Sequence, residues 1–188
     1  MDSTTKLKLD LHTHVFEEFF PLSPKLITVT SVGRLVEKIK AMGLDGIAVT
    51  EHNNMDFGYR TREIVEKHFA GQVIIIPGRE VEDFSVHYVE LDLNSDGKTS
   101  FRFLAHPGYP GDPAKQVRNF DGIEIDNAMH NWHINKARVQ ALAAENNLVL
   151  LCNSDAHYLR DVGKCFNEVS LSSLTVRNGS VDVKNPEA

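Results

Sequence analysis

Cysteine, basic charge and long apolar runs are all scarce in this sequence, and each shortage removes a class of protein. The two cysteines, Cys152 and Cys165, lack the spacing of a zinc knuckle, so packed, reduced thiols are expected rather than a disulfide or a sulfur-ligated metal. Lys plus Arg number 20 against 26 Asp plus Glu, a formal charge of −6, which leaves no basic field to hold long nucleic acid non-specifically. No stretch approaches the ~20 apolar residues of a membrane span, and residues 1–8 lack the apolar core of a signal peptide. A soluble, cytoplasmic protein with no membrane partner is expected. Helix stripes carry no heptad seam and so give no sign of oligomerisation.

What is present is enough apolar material, 41% of 188 residues, for one compact domain over 1–188, frayed at 185–188. Strand-like apolar runs alternate with amphipathic helix-like ones, the pattern of parallel βα units. Strands are expected at 6–12, 44–50, 73–76, 84–93, 101–105, 122–125 and 148–152. Helices are expected over 31–42, from an Asp56 cap to Gly71, and over 131–146, the longest. Residues 94–98 read as a polar turn, and the runs 175–177 and 180–183 flank Asn178-Gly179, a dipeptide suited to a tight hairpin.

Metal-binding side chains fall where these strands end: His12 and His14, Glu51 and His52, Glu80, His106, Glu124 with His130, and Asp155 with His157. Side chains alternate along a strand, so His12 and His14 point the same way, as do Asp155 and His157. Two ligands on one face can grip one ion or two neighbouring ions. In a barrel of parallel strands the C-terminal ends build one cavity, which turns scattered ligands into a cluster. Six of the nine histidines obey this rule.

These ligands sit in recognisable settings. Asp10-Leu11-His12-Thr13-His14 is an HxH after the first strand, Thr50-Glu51-His52-Asn53 resembles a TDH, and Pro77-Gly78-Arg79-Glu80 forms a third motif. Ala105-His106-Pro107-Gly108 reads AHPG, Gly122-Ile123-Glu124-Ile125 up to His130 resembles a GIEV segment, and Ser154-Asp155-Ala156-His157 reads SDAH. In this order the six resemble the motifs of the PHP family, the polymerase and histidinol phosphatase domain, over most of the chain.

The resemblance implies an α/β fold, a distorted seven-stranded (β/α) TIM-like barrel of PHP type. It implies a metal-dependent phosphoesterase that hydrolyses a small phosphomonoester or nucleotide-type substrate by a metal-activated hydroxide. Carried over residue by residue, it implies one ion held by His12, His14, Glu80 and Asp155. Glu80 bridges to a second ion on His106 and His130, and a third lies between His52 and His157. Glu80, Asp155, His52 and His157 are thereby implied in catalysis. Such mixed ligation suits two or three divalent ions, zinc, manganese or iron.

The chain departs from the family in places. Many members supply a further ligand five or six residues beyond the HxH, where Phe19 and Phe20 stand; Glu17 or Glu18 is open to that role or to a solvent-facing pair. Glu51 replaces the usual Asp and has the reach to orient a ligand. Arg79 and Arg160 are candidates to bind a phosphate oxygen, and equally for structural contacts. His87 reads as a packed histidine with an approach to the site as the alternative, His68 as structural, and His133 as a substitute for His130. Trp132 and Tyr109 border the expected cleft, either to stack on a base or sugar or simply to pack. Two other functions stay open. One is an amidohydrolase-type metal hydrolase, which would want a mid-barrel lysine where this chain has Glu80; the other is a non-catalytic metal-binding regulatory module.

Overall fold

The computed structural model describes residues 5–16, 23–94, 97–98, 100–175 and 182–184. Its strands are β1 (Leu7–Asp10), β2 (Gly46–Val49), β3 (Ile74–Asp83), β4 (Val86–Leu91), β5 (Phe101–Leu104), β6 (Gly122–Asn127), β7 (Val149–Asn153), β8 (Phe166–Val169) and β9 (Asp182–Lys184). Among the described residues they form one sheet in the order β7-β6-β5-β4-β3-β2-β1-β8-β9. β1, β2 and β3 run parallel, as do β5, β6 and β7, whereas β4, β8 and β9 enter antiparallel to their neighbours. The sheet curls into a nearly closed barrel with helices on the outside.

The expected distorted α/β barrel is present, its sheet larger than seven strands and mixed in direction. Only Phe84 and Ser85 separate β3 from β4. A two-residue turn joins antiparallel strands, while a parallel crossover needs a dozen residues or more, so this pair is a hairpin. β3 also continues well past Ile76, and Glu80 lies inside it rather than beyond its end.

The seam between β7 and β8 is closed by one side chain. Asn167 accepts from the Cys152 N–H at 2.8 Å and donates to the Cys152 carbonyl at 2.9 Å and to the Leu9 carbonyl at 3.3 Å. The same approach brings Cys152 and Cys165 together as a disulfide, with Cα atoms 5.5 Å apart. That corrects the expectation of reduced thiols: sequence spacing says nothing of the barrel seam that sets this separation within disulfide range.

Leu9, Leu91, Phe101, Phe103 and Leu151, drawn from strands all round the sheet, fill the barrel interior. Outside it, α1 (Val29–Ala41) and α2 (Asp56–His68) bury Val32, Leu35, Val36 and Ile39, and Ile64 and Val65, on stripes of helical period. Further along, α3 (Lys136–Asn146) covers Ile123 with Val139 and Leu142.

Helix ends differ from expectation for capping reasons. Thr28 caps α1 by accepting from the Ser31 N–H at 3.1 Å, so the helix starts at Val29. Asp56 is the first residue of α2, not its cap, and its own N–H goes to Asn54 Oδ1 at 3.0 Å. The expected helix over 131–146 is split, because Asn135 caps α3 through the Arg138 N–H and Ile134 is extended. With 11 residues, α3 is also shorter than the 13-residue α1 and α2. Thr175 ends α4 (Leu171–Thr175) instead of opening a strand. The Asn178-Gly179 turn, the end at 185–188, and Glu17, Glu18, Phe19 and Phe20 lie outside the described residues. Among the described residues no helix is long and apolar enough to cross a membrane.

Candidate metal centre

The rim is where the two ends of the chain meet. The His14 N–H donates to the Ala156 carbonyl at 2.8 Å and the Asp155 N–H to the His12 carbonyl at 2.9 Å, pairing Thr13 with Ala156 in parallel. His52 pairs with Glu80 in the same sense. These short bridges extend strand pairing beyond β1, β2 and β7 and aim their side chains into one cavity.

Glu80 stands at its centre with its two oxygens divided between neighbours. Oε2 lies 3.2 Å from His52 Nε2, 3.3 Å from His14 Nε2 and 3.5 Å from His12 Nε2. Oε1 lies 3.0 Å from His106 Nε2 and 3.7 Å from His87 Nδ1. Asp155 Oδ1 closes the first group, 3.3 Å from His14 Nε2 and 3.6 Å from His12 Nε2.

Among the described residues three triads have the geometry to hold an ion, two of them sharing His14: His12, His14 and Asp155; Glu80, His87 and His106; and His14, His52 and His157. Within each, the ligand atoms lie within 4.8 Å of one another. The 3.0 Å between His12 Nε2 and His14 Nε2 is close to the spacing of about 3.3 Å that a tetrahedral ion with bonds of about 2.0–2.1 Å imposes on two nitrogens. Asp155 Oδ1 is buried and makes no hydrogen bond of good geometry, although carboxylates almost always find one when buried. A divalent cation would satisfy it, and the imidazole and carboxylate donors fit such an ion.

A frame of buried polar groups holds these ligands. Glu124 Oε1 meets His12 Nδ1 at 3.0 Å and the Asn153 amide at 2.9 Å, and Oε2 accepts from the His106 N–H at 2.7 Å and the Asn127 amide at 2.9 Å. With both oxygens spent in this way, Glu124 orients ligands rather than serving as one. Asp10 accepts from the Ser154 and Gly163 N–H groups, both at 3.0 Å, and burial raises its pKa to about 6. His106 (φ 27°) and Asp155 (φ 53°) sit in the left-handed region, at a cost of about 1–3 kcal/mol each that the surrounding structure sustains.

The electrostatics follow from crowding. Burial opposes protonation of His12, but Asp155, Glu124 and Glu80 prevail and hold its pKa well above the ordinary 6.5. His14, buried against Asp155 and Glu80, rises to about 9, and His106 rises through its contact with Glu80. Burial likewise opposes ionisation of Glu80 and Asp155, yet His12 above all keeps both carboxyls well below the usual range. Without metal the imidazoles hold protons where cations would sit.

The structure brings His12, His14, His52, Glu80, His106, Asp155 and His157 into this one cavity. His130 stands beside it: Asn127 Oδ1 takes its N–H at 2.9 Å, leaving Nε2 3.7 Å from Asp155 Oδ2 and outside the three triads. His87 also approaches this rim, with Nδ1 3.7 Å from Glu80 Oε1. It opposes Glu82 across the β3–β4 hairpin, so antiparallel pairing returns it to the rim on the Glu80 face, a placement that a parallel reading of the strand concealed.

Arg79 makes the structural contact, one of its two expected roles. It lies next to Glu80 on the strand, hence on the opposite face, where Nε and Nη2 donate to Glu90 Oε2 at 2.8 and 2.7 Å. Arg160 stacks over Tyr158 at 4.5 Å with an exposed side chain. Glu51 is buried and accepts the Phe16 N–H at 2.8 Å.

Comparisons with known proteins bear on the fold. No curated protein matches the sequence significantly. PsfC from Pseudomonas syringae shares the fold with a TM-score of 0.65 at 21% identity, over 96% of this chain and 93% of its own. A candidate metal-dependent phosphoesterase from Bifidobacterium adolescentis aligns with a TM-score of 0.57 at 15% identity, over 92% and 96%. An amidohydrolase from Chromobacterium violaceum, solved with sulfate and no metal, aligns at 0.56 and 15% identity, over 82% and 89%. Residues 133–176 match the PHP-associated family. That segment of the chain is thus similar to PHP-associated sequences, and the barrel of the solved structures is shared along nearly the whole chain.

Proposed function

We propose that this chain is a metal-dependent phosphoesterase acting on a small phosphate ester. The observation that carries the reading is the division of Glu80, one oxygen toward His12, His14 and His52 and the other toward His106 and His87. A carboxylate so placed is suited to bridge two neighbouring cations. His12, His14 and Asp155 would hold one, His87 and His106 the second, and His52 with His157 a third.

Divalent ions bound there would supply Lewis acidity and lower the pKa of water toward about 7. The protein's own groups do the rest. His12 and His14 form a dry floor, whereas the side chains of His52, His157 and His130 are 28%, 31% and 39% exposed and form the lip where an ester enters. His157 Nδ1 donates to the Asp155 carbonyl at 2.9 Å, which turns Nε2 toward the cavity. Burial lowers the pKa of His130, which suits this imidazole, 3.7 Å from Asp155, to accept a proton at the lip rather than to donate one.

Elemental analysis of the pure protein, paired with phosphate release from sugar phosphates, nucleotides and short oligonucleotides, tests the proposal. Two or three equivalents of zinc, manganese or iron and turnover of a small ester support it. Bound metal with no hydrolysis of any ester would leave the regulatory-module reading, and cleavage of amides alone would favour the amidohydrolase.

A further inference from the structure

The loop between β7 and β8 carries Asp155 and His157, and both of its ends are fastened at the barrel seam. Asp10 accepts from the Ser154 N–H at one end and from the Gly163 N–H at the other, and the Cys152–Cys165 disulfide, with a sequence separation of 13, closes the loop just outside those two bonds. Both residues of the metal centre therefore lie inside one covalent ring. Side chains link the same disulfide to His12: Asn153, next to Cys152, accepts from the Leu11 N–H at 3.0 Å and the Asn167 amide at 2.9 Å, and donates to Glu124 Oε1, the oxygen that meets His12 Nδ1. A slip of β7 against β8 is felt by Asp155 and His157 along the loop and by His12 through Glu124.

This seam is where the barrel is held least. Every pair of neighbouring strands in the sheet shares a ladder of backbone hydrogen bonds, whereas among the described residues β7 and β8 share none and are joined by Asn167 and the disulfide. Local opening is cheapest where few backbone bonds have to break. Both cysteines are buried, but Cys165 follows the exposed Lys164, so parting the seam brings the sulfurs to solvent without disturbing a ladder.

We propose that the Cys152–Cys165 pair is a redox-controlled clamp on the metal centre: the oxidised protein holds Asp155, His157 and His12 in place for the ions, and the reduced protein lets them part and binds metal more weakly. A dithiol supplies the two electrons and two protons. Its own sulfurs join as a disulfide, the bond between Cys152 and Cys165 breaks, and each cysteine becomes a thiol. The bonds of Asn167 and Asp10 survive, so the barrel stays folded and the change is confined to the loop. The inference rests on the metal centre of the phosphoesterase reading, but its test needs no turnover.

Manganese(II) is the probe, because this hard ion disfavours the two thiols that reduction creates. Protein oxidised with glutathione disulfide and protein reduced with dithiothreitol, each freed of reagent in the absence of air, are titrated with manganese while the free ion is followed by electron paramagnetic resonance. The reduced form should bind at least about tenfold more weakly, the scale of losing support behind a ligand, and reoxidation should restore the affinity. Hydrogen exchange over 153–164 should rise on reduction while that of α1 and α2 does not. Combining Cys152→Ala with Cys165→Ala should reproduce the reduced form under either treatment. Equal affinity in the two forms overturns the clamp, as do free thiols after the glutathione treatment or loss of the whole fold on reduction. Manganese bound by neither form overturns the metal centre itself, and the clamp with it.

Discussion

Glu124 Oε1 stands 3.0 Å from His12 Nδ1, and neither group has access to solvent. A carboxylate only accepts, so Nδ1 carries a hydrogen, and once His12 gives up its second proton it is the Nε2 lone pair that faces His14 and Asp155. The tautomer that a metal needs is thereby set from behind. Glu124→Gln would present an amide that can no longer enforce it, and zinc affinity should fall about 10–100-fold with the fold retained. Competition against a chromogenic chelator, with circular dichroism as the control for folding, measures this.

His87 and His130 are separable by what each loses. His87→Ala removes a member of the triad with Glu80 and His106, and metal content should drop by about one equivalent per chain. His130→Ala should keep its metal and lose turnover by about 10²–10⁴-fold, the usual contribution of a positioned proton carrier. The reverse pattern would return His130 to the ligand set.

Metal uptake should release protons. His14 is raised to about 9 and His12 and His106 are also raised without metal, yet each must be neutral to ligate. Calorimetric titration with zinc at pH 7 in buffers of different ionisation enthalpy should show net proton release. The sign for stability is the opposite in the metal-free protein. A histidine raised from 6.5 to about 9 contributes stability that is complete below about 6.5 and fades as pH climbs through 9. The Tm of the metal-free protein should therefore decline over that window, while that of the metal-loaded protein does not follow it.

Arg79→Ala tests a residue that the motif alone suggested for substrate binding. Its bidentate contact holds buried Glu90, whose other oxygen is held by Arg102 at 2.7 Å. The expected result is a stability loss of about 1 kcal/mol, reduced by the partial exposure of the arginine and the surviving Arg102, with kcat/KM within about twofold of the parent. Denaturant melts and steady-state kinetics on the same preparation separate the two effects.

Much of this was legible in the linear chain. Ligand pairs at one-residue spacing after apolar runs must share a face, and parallel strand ends must share a rim, so His12, His14, His52, Glu80, His106, Asp155 and His157 could be gathered without coordinates. Periodicity reports which face a residue occupies, and that is a local property of the backbone. Strand direction, register and closure are not local. Only the folded chain decided that a two-residue turn sends β4 back antiparallel and lifts His87 to the rim, that Arg79 is spent on Glu90, and that Glu124 stands behind His12 instead of beside it. The same is true of Asn167 and the Cys152–Cys165 pair, which meet because the barrel closes. Each of these depends on contacts between segments distant in sequence, whose distances no pattern within one segment encodes.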